Sequence, residues 1–182
     1  MGCLLIEMDE LGHAVEQPGG EAYEGIIQEF GQEMLNPDGT VNRRKLAAEV
    51  FEKPERLEKL NALVHPAVRA KAAALEADFF AQSPNGIAVT EAAILVETGT
   101  FRDYDRLILA VCGQEQQVER AMARDGLSRD EVLIRLARQM PLEQKMKYAN
   151  YVIDTSGTIE HTRGQTKLVY DKLRSLTQNV QA

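Results

Sequence analysis

The sequence has no tryptophan, two cysteines and three histidines, and it has no apolar run near the roughly 20 residues that a membrane-spanning helix needs. No basic region followed by an apolar stretch is found near the start, so no secretory signal is expected. Cys3 and Cys112 lie in apolar runs, which predicts small buried side chains in a reducing cytoplasm rather than a disulfide. The histidines are not at metal-ligand spacing, so no metal site made of protein side chains is predicted.

Basic residues are in the minority. The chain has 21 Lys and Arg against 28 Asp and Glu, which gives a net charge of -7 over 182 residues. This balance excludes the general basic face that nucleic-acid binding needs, whereas a local basic patch for a small phosphorylated ligand is compatible with it. We therefore expect neither a nucleic acid nor a membrane as a partner. The length suffices for one compact domain with appended subdomains.

Four short apolar runs predict buried β-strands. Because the runs are continuous rather than alternating, we expect strands that are covered on both faces, as in parallel α/β sheets. The runs are Cys3–Met8, Gly86–Thr90, Arg106–Val111 and Tyr151–Asp154.

Helical patterns occupy the stretches between these runs. Pro54 suits the first turn of a long helix, in which Pro66 should cause a kink or an interruption. Ser128 and Glu131 have the spacing of a capping box that opens a further helix, and Pro141 should end it. A last helix is predicted over residues 158–176. The side chains predicted to face inward are Leu57, Leu60, Val64, Val68, Leu75 and Phe79 in the long helix, Val132, Leu133, Leu136 and Met140 in the next, and Leu168, Val169, Leu173 and Leu176 in the last. This order of elements favours an α/β core with two helical insertions over a helical bundle.

A series of short motifs follows in a fixed order along the chain. They are Glu7-Met8-Asp9, Pro18-Gly19, Phe30-Gly31, Asp38-Gly39 with Arg43 and Leu46, Val50-Phe51, Pro54, His65-Pro66, Ile94-Leu95-Val96-Glu97-Thr98-Gly99, Gln117, Arg120, Arg124, Arg135, Gln139, Pro141 and Val152-Ile153-Asp154. In this order and spacing the set resembles the dephospho-coenzyme A kinase family over nearly the whole chain. Any one dipeptide is weak by itself, and the ordered set is specific. Thr155 departs from the family, which usually has Asn at that position.

The resemblance implies a P-loop-kinase-like fold, in which a parallel sheet flanked by helices carries a helical acceptor-binding insertion and a helical lid. The implied boundaries are a core at 1–15, 85–113 and 148–182, an insertion at 16–84 and a lid at 114–147. The implied reaction is the ATP-dependent phosphorylation of the 3′-hydroxyl of dephospho-coenzyme A, the last step of coenzyme A synthesis, assisted by Mg²⁺ in the cytoplasm. Another nucleotide kinase with the same core is disfavoured, because His65-Pro66 and the segment around Phe51 are features of this family.

The resemblance gives Asp9 the role of the catalytic base, because transfer to a ribose hydroxyl needs a carboxylate that orients the hydroxyl or accepts its proton. Its place after a strand also suits a helix N-cap. Arg120 and Arg124 share a helix face, and Arg135 and Gln139 repeat that spacing. Such residues form either a solvated face or, as the resemblance implies, a lid that brings guanidinium and amide donors to phosphates.

Three further residues are implied to bind the acceptor, and each has a structural alternative. Arg43 would bind an acceptor phosphate or pair with a neighbouring carboxylate. His65 would border the acceptor site or be a core histidine bonded to the backbone. Glu97 would line the acceptor pocket or cap the Thr98-Gly99 segment.

The sequence lacks the phosphate-binding loop of the family, because no Gly-x-x-x-x-Gly-Lys-Ser/Thr occurs in it. The backbone amides and Lys of that loop hold the ATP phosphates, and its hydroxyl holds magnesium. We therefore expect a chain that is truncated at its N-terminus relative to the family, by about one strand-loop-helix unit, and that is inactive by itself. The alternative is a catalytically dead remnant that binds an acceptor nucleotide or a partner chain.

The resemblance places the absent first strand in the centre of the sheet, between the strands predicted at 86–90 and 106–111. Without it, two apolar strand edges are expected to lack a hydrogen-bonding neighbour. Open edges of this kind pair readily with other chains. We therefore expect low stability or self-association through these edges.

Overall fold

The computed structural model describes residues 2–51 and 53–178. These residues form two compact units, one over Gly2–Ala92 and one that begins at Ala93. Each unit contains one pair of parallel strands together with helices, so the predicted α/β class with parallel strands is confirmed. No helix in the described ranges is both long enough and apolar enough to cross a membrane.

The first unit consists of β1 Leu4–Glu7, α1 Met8–Val15, α2 Tyr23–Phe30, a 3₁₀ turn at Gln32–Met34, α3 Arg43–Val50, α4 Pro54–Gln82 and β2 Ala88–Glu91. β1 passes directly into α1 and pairs in parallel with β2, with Glu7 opposite Glu91 at the end of both strands. Parallel pairing requires a long crossover connection, and the four helices supply it.

The core of the first unit is formed by side chains of all four helices and of the loops between them. Ala22, Ile26 and Phe30 recur every fourth residue and therefore lie on one buried face. The buried members of the cluster are Val15, Ala22, Ile26, Phe30, Val41, Leu46, Val50 and Val68. This core fixes α1, and with it the side chains that directly follow β1.

The long helix α4 runs without a break through Pro66, so the predicted interruption is wrong. Pro66 has no N–H to donate to the carbonyl of Ala62, and the helix therefore lacks one hydrogen bond there. Val68 and Ala72 are buried directly beyond this point. The burial of these side chains stabilises the helix beyond the proline and outweighs the missing bond.

The second unit consists of a 3₁₀ turn at Thr100–Asp103, β3 Ile108–Val111, α5 Gln114–Asp125, α6 Arg129–Ala137, α7 Leu142–Lys145, β4 Tyr151–Asp154 and α8 Ile159–Gln178. β3 and β4 pair in parallel, with Ile108 opposite Tyr151 and Val111 opposite Asp154. Asn150 extends the pairing, because its side-chain oxygen accepts the backbone N–H of Leu107 at 2.8 Å.

Local sequence signals set the ends of α5 and α6. Gly126 ends α5 in the left-handed conformation, at φ 66°, which glycine adopts without steric cost. Ser128 and Glu131 form the predicted capping box, with each side chain bonded to the backbone of the other residue. α6 ends at Ala137, four residues before Pro141.

The strands are less buried than the apolar runs predicted. Ile6 and Ile153 are buried, whereas Leu5 and Val152 are exposed on the opposite faces, so the expected cover on both faces is wrong for the described residues. Each sheet has two strands and packs against helices of its own unit, namely α1 and α4 for β1 and α8 for β4.

Several side chains predicted to face inward are exposed instead: Leu57 and Leu75 in α4, and Leu168 and Leu176 in α8. The four residues of β4 span about 13 Å and the 20 residues of α8 about 30 Å. Such a short strand covers only part of the helix. Cys3 and Cys112 are half-buried free thiols, so complete burial is wrong for them as well, because each lies just outside the end of a strand.

Candidate functional site

Carboxylates gather where β1 and β2 end. Glu7 and Glu91 lie opposite each other in the parallel register, and Asp9 and Glu10 follow in the first turn of α1. The pKa of Glu7 lies above its ordinary value, chiefly because the negative charge of Glu10 repels its ionised form, with further contributions from desolvation and from Glu91. This end of the sheet therefore carries concentrated negative charge.

Asp9 is the second residue of α1, and the N-cap position is held by Glu7, so the capping interpretation of Asp9 is wrong. Its side chain is exposed. An exposed carboxylate at this position is able to accept a proton from a bound hydroxyl.

Arg43 opens α3 and pairs with Glu16, which lies at the end of α1. Arg43 Nε donates to Glu16 Oε2 at 2.9 Å, and the two side chains are 49% and 8% exposed. The structural alternative for Arg43 is therefore present, because it compensates a buried carboxylate. The exposed half of its side chain still faces solvent.

His65 is exposed on α4, directly before Pro66. The interpretation of His65 as a core histidine is therefore wrong, because the helix turns this position away from the packed side. Exposure leaves the acceptor-binding interpretation open.

In the second unit Glu97 belongs to a compact polar cluster, which we call the Glu97 cluster: Ala93, Glu97, Gln139, Met140 and Lys145. Glu97 Oε1 accepts the backbone N–H of Met140 at 2.9 Å and pairs with Lys145 Nζ at 2.7 Å. Lys145 Nζ also donates to Gln139 Oε1 at 3.1 Å and to the carbonyl of Ala93 at 3.4 Å. The cluster ties the segment before the 3₁₀ turn to the residues that link α6 and α7.

Two opposing effects set the pKa of Glu97, namely burial and hydrogen bonding. Burial raises the pKa of Glu97, but the hydrogen bonds from Lys145 and from the backbone of Met140 outweigh it, so the pKa lies below its ordinary value. Glu97 Oε2 is buried and has no hydrogen-bond partner among the described residues. The capping interpretation is wrong, because the N–H groups of Thr98 and Gly99 donate to the carbonyls of Ile94 and Val96.

Sequence reasoning missed Lys145, which is 8% exposed and is the one buried lysine of the described residues. Lys147 lies two positions further on and is exposed. Nothing in the local pattern separates the two lysines. Only the tertiary contact with Glu97 distinguishes them.

Arg120 is anchored rather than merely solvated. Its guanidinium donates to the hydroxyl of Thr155 at 3.1 Å and to the carbonyl of Thr155 at 2.7 Å, and Thr155 in turn donates to the carbonyl of Val111 at 3.0 Å. These bonds hold one face of α5 against the carboxyl ends of β3 and β4.

Arg124 and Arg135 come together at Asp125, the last residue of α5. Asp125 accepts from Arg124 Nε at 2.7 Å and from Arg124 Nη2 at 3.1 Å, and its Oδ2 lies 3.7 Å from Arg135 Nη1. The second unit thus brings Arg124 next to Arg135, and Gln139 next to Glu97. Among residues 2–51 and 53–178, no three His, Cys, Asp or Glu side chains are grouped to hold a metal ion.

Comparisons with known proteins agree on one family. The family model described as dephospho-CoA kinase matches residues 1–161. A dephospho-CoA kinase from Aquifex aeolicus is 38% identical over 173 residues, which cover 95% of this chain and 86% of the relative. One from Geobacillus kaustophilus is 38% identical over 165 residues, which cover 91% of this chain and 82% of the relative.

Solved structures show a similar fold. The crystal structure of TT1252 from Thermus thermophilus matches with a TM-score of 0.75 and 34% identity, over 94% of this chain and 85% of that one. A dephospho-CoA kinase from Campylobacter jejuni matches with a TM-score of 0.65 over 96% of this chain and 86% of that one. At 24% identity, the second match speaks for the fold alone.

Proposed function

The chain belongs to the dephospho-CoA kinase family, a family of enzymes, and from that premise we propose that it serves the transfer of the γ-phosphoryl group of ATP to the 3′-hydroxyl of dephospho-CoA. The product is coenzyme A, and the proposed location is the cytoplasm. The observation that carries this proposal is the family match over residues 1–161, which includes most of both units.

We assign the role of base to Asp9. In phosphoryl transfer a carboxylate that orients the attacking hydroxyl, or accepts its proton, contributes to the rate. The assignment is supported by the exposed position of Asp9 in the first turn of α1, directly after β1. The proton of the 3′-hydroxyl would pass to a carboxylate oxygen of Asp9.

The proposed lid comprises residues 114–147, which contain α5, α6 and α7. Arg124 and Arg135 would contact phosphate oxygens through paired N–H donors, which suit phosphate geometry. Gln139 would add an amide donor, and Arg120 would hold α5 in place while contributing its charge. Closure of such donors over phosphates stabilises developing charge and excludes water.

The proposed acceptor-binding residues are Arg43, His65 and Glu97. Arg43 and His65 lie in the proposed insertion, 16–84, and each has an exposed side chain that could face a ligand. Glu97 lies in the proposed core, which comprises 1–15, 85–113 and 148–182. Its carboxylate would accept a hydrogen bond from the acceptor after a rearrangement, because Oε2 is buried.

Magnesium assists the family reaction by neutralising charge on the transferred phosphate. In the described part of the chain no three His, Cys, Asp or Glu side chains are grouped to hold a metal ion, whereas Mg²⁺ in kinases needs only one or two carboxylates besides phosphate oxygens and water. None of the roles assigned to this chain's residues depends on the ion.

A polypeptide of these 182 residues alone is proposed to bind the acceptor without transferring phosphate at kinase rates. The sequence contains no Gly-x-x-x-x-Gly-Lys-Ser/Thr, and positioning of the phosphates supplies most of the catalysis in this chemistry. The same observation favours one alternative, a catalytically dead remnant that binds an acceptor nucleotide or a partner chain.

Self-association through strand edges is a further part of the proposal. Within the described residues each strand pairs with one neighbour, and Leu5 and Val152 are exposed on the strand faces. Unpaired edges next to apolar side chains favour contact with a second copy. Light scattering over a range of protein concentrations would detect this association, and a strictly monomeric chain would contradict it.

Calorimetric titration of the chain with dephospho-CoA tests the acceptor assignment without requiring turnover. We expect saturable binding of dephospho-CoA and much weaker binding of thymidine monophosphate, which lacks the pantetheine arm. Equal affinity for the two ligands, or no heat with dephospho-CoA, would refute the proposed acceptor.

A further inference from the structure

The carboxylate of Asp125 pairs with two of the three arginines that the lid assignment depends on, Arg124 and Arg135. Arg124 donates one hydrogen bond to each carboxylate oxygen of Asp125, at 2.7 and 3.1 Å. A guanidinium uses the same paired geometry to bind phosphate. Arg135 approaches the same carboxylate at 3.7 Å, which is an ion pair but too long for a hydrogen bond. One carboxylate therefore engages Arg124 fully and Arg135 only by its charge.

The charge of Asp125 persists over the physiological pH range. Hydrogen bonds from Arg124 lower its pKa, desolvation opposes this, and the positive charges of Arg124 and Arg135 add to the lowering. At neutral pH the three side chains carry two positive charges and one negative charge. An incoming phosphate thus meets a site that already contains an anion.

We propose that Asp125 is an internal competitor for phosphate, which holds Arg124 and Arg135 until a polyphosphate displaces it, and so makes the lid selective for ligands with several negative charges. This inference rests on the proposed function, because it takes the two arginines to be phosphate ligands. Asp125 itself touches no substrate and acts through the arginines.

The geometry explains why displacement favours a polyphosphate. The carboxylate has two oxygens and one charge, and it leaves Arg135 without a hydrogen bond from Asp125. A triphosphate has more oxygens and more charge, so it is able to hydrogen-bond both guanidinium groups at once. Exposed ion pairs are weak, and Asp125 is the last residue of α5. Its carboxylate can therefore release the two guanidinium groups without unfolding of α5.

The same pair of helices offers a matched control. Glu115 in α5 accepts two hydrogen bonds from Arg129 Nη2, at 2.8 and 2.9 Å, and Arg129 is not among the proposed phosphate ligands. Glu115→Ala and Asp125→Ala each remove one negative charge from α5; the first breaks one carboxylate–arginine pair, and the second breaks the pairs with Arg124 and Arg135. A gain in affinity that is specific to Asp125 cannot come from net charge alone.

The test is a nuclear magnetic resonance titration of the full ¹⁵N-labelled chain with sodium tripolyphosphate, which follows the Nε–Hε signals of Arg124 and Arg135. We expect Asp125→Ala to bind about two- to fivefold more tightly than wild type, the range for loss of one exposed competing ion pair, with little change in Glu115→Ala. Asp125→Glu, which keeps the charge, should stay close to wild type. Alanine is used because asparagine before Gly126 would be prone to deamidation.

The outcomes separate this inference from the proposed function. If wild type and Asp125→Ala both bind and Asp125→Ala gains no more than Glu115→Ala, the competitor role of Asp125 is wrong and the lid assignment stands. Weaker binding by Asp125→Ala would show that Asp125 organises the arginines rather than competing for them, which also overturns the inference. If neither protein shifts the arginine signals, the lid's phosphate role is wrong and the inference is overturned with it.

Discussion

Replacement of Lys145 by methionine removes the centre of the Glu97 cluster while keeping a side chain of similar length. In the native chain Lys145 Nζ contacts Glu97 Oε1 at 2.7 Å, Gln139 Oε1 at 3.1 Å and the carbonyl of Ala93 at 3.4 Å. The side chains of Lys145 and Glu97 are 10% and 18% exposed. Lys145→Met therefore leaves a largely buried carboxylate without its counter-ion.

The expected cost follows from what Glu97 retains. After the substitution the N–H of Met140 still donates to Oε1, and Oε2 has no hydrogen-bond partner in the described residues. Removal of one partner of a buried ion pair costs about 3–5 kcal/mol, and the residual exposure of Glu97 places Lys145→Met near about 3 kcal/mol. That is a large part of the roughly 5–15 kcal/mol that stabilises a domain.

A double-mutant cycle isolates the pair. Glu97→Leu leaves Lys145 buried with two neutral acceptors, and Glu97→Leu/Lys145→Met removes both charges. Removal of both partners of a buried pair is often nearly neutral, so the double variant should be at least as stable as Glu97→Leu. Compared with Lys145→Met, it carries a further cost of about 1–3 kcal/mol, because the N–H of Met140 no longer has an acceptor. We expect a coupling free energy of about 2 kcal/mol or more between the two positions.

Urea unfolding followed by tyrosine fluorescence measures these free energies. Four of the five tyrosines lie in the second unit, so the signal reports mainly on the part of the chain that contains the cluster. Lys147→Met is the control, because Lys147 is exposed and its loss should change the unfolding free energy by about 0.5 kcal/mol at most. A Lys145→Met protein as stable as the control, or a coupling free energy near zero, would refute this account of the cluster.

Three further predictions concern Glu97, Asp9 and the arginines of the proposed lid. In the folded chain the pKa of Glu97 lies below its ordinary value of 4.5. Its contribution to stability should therefore be present above about pH 4.5 and be lost as the pH falls through the folded pKa. The urea midpoint, measured as a function of acid pH, should show this loss in wild type and a smaller loss in Glu97→Gln. In a chain extended with the family's phosphate-binding loop, Asp9→Asn should lower kcat by about 10² to 10⁴ fold with little change in acceptor affinity, and a normal kcat would exclude Asp9 as the base. In that extended chain, Arg120→Ala and Arg135→Ala should impair transfer more than Arg138→Ala, because Arg138 is not among the residues that match the family's lid. Equal losses in the three steady-state assays would indicate only a diffuse positive patch.

Local chemistry explains which parts of the fold could be predicted. The run Tyr151–Asp154 and the capping box at Ser128 depend on side chains within a few residues, and both are found as predicted. Pro66 shows the limit of local rules, because burial of Val68 and Ala72 outweighs the loss of one backbone hydrogen bond. Helical spacing likewise places Leu168 on an apolar stripe of α8 but does not say how much of that stripe a four-residue strand covers.

The family motifs single out two members of the Glu97 cluster and miss the lysine that joins them. The motifs singled out Glu97 and Gln139, but the contact that joins them runs through Lys145, whose sequence surroundings resemble those of exposed Lys147. Asp125 gave no signal either, because a carboxylate beside an arginine in a helix is ordinary. The role proposed for Asp125 depends on its contact with Arg135, which lies ten positions further along the sequence. In the folded unit Arg135 Nη1 is 3.7 Å from Asp125 Oδ2.

Formation of coenzyme A from ATP and dephospho-CoA tests the central proposal most directly. It would be measured by chromatography for the 182-residue chain and for the same residues preceded by a strand, Gly-x-x-x-x-Gly-Lys-Ser/Thr loop and helix taken from a relative. We expect no coenzyme A from the 182 residues alone and turnover of about 1 per second or more from the extended chain. Comparable turnover by the 182 residues would contradict the need for the loop, and an extended, folded chain that forms no coenzyme A would contradict the proposed function.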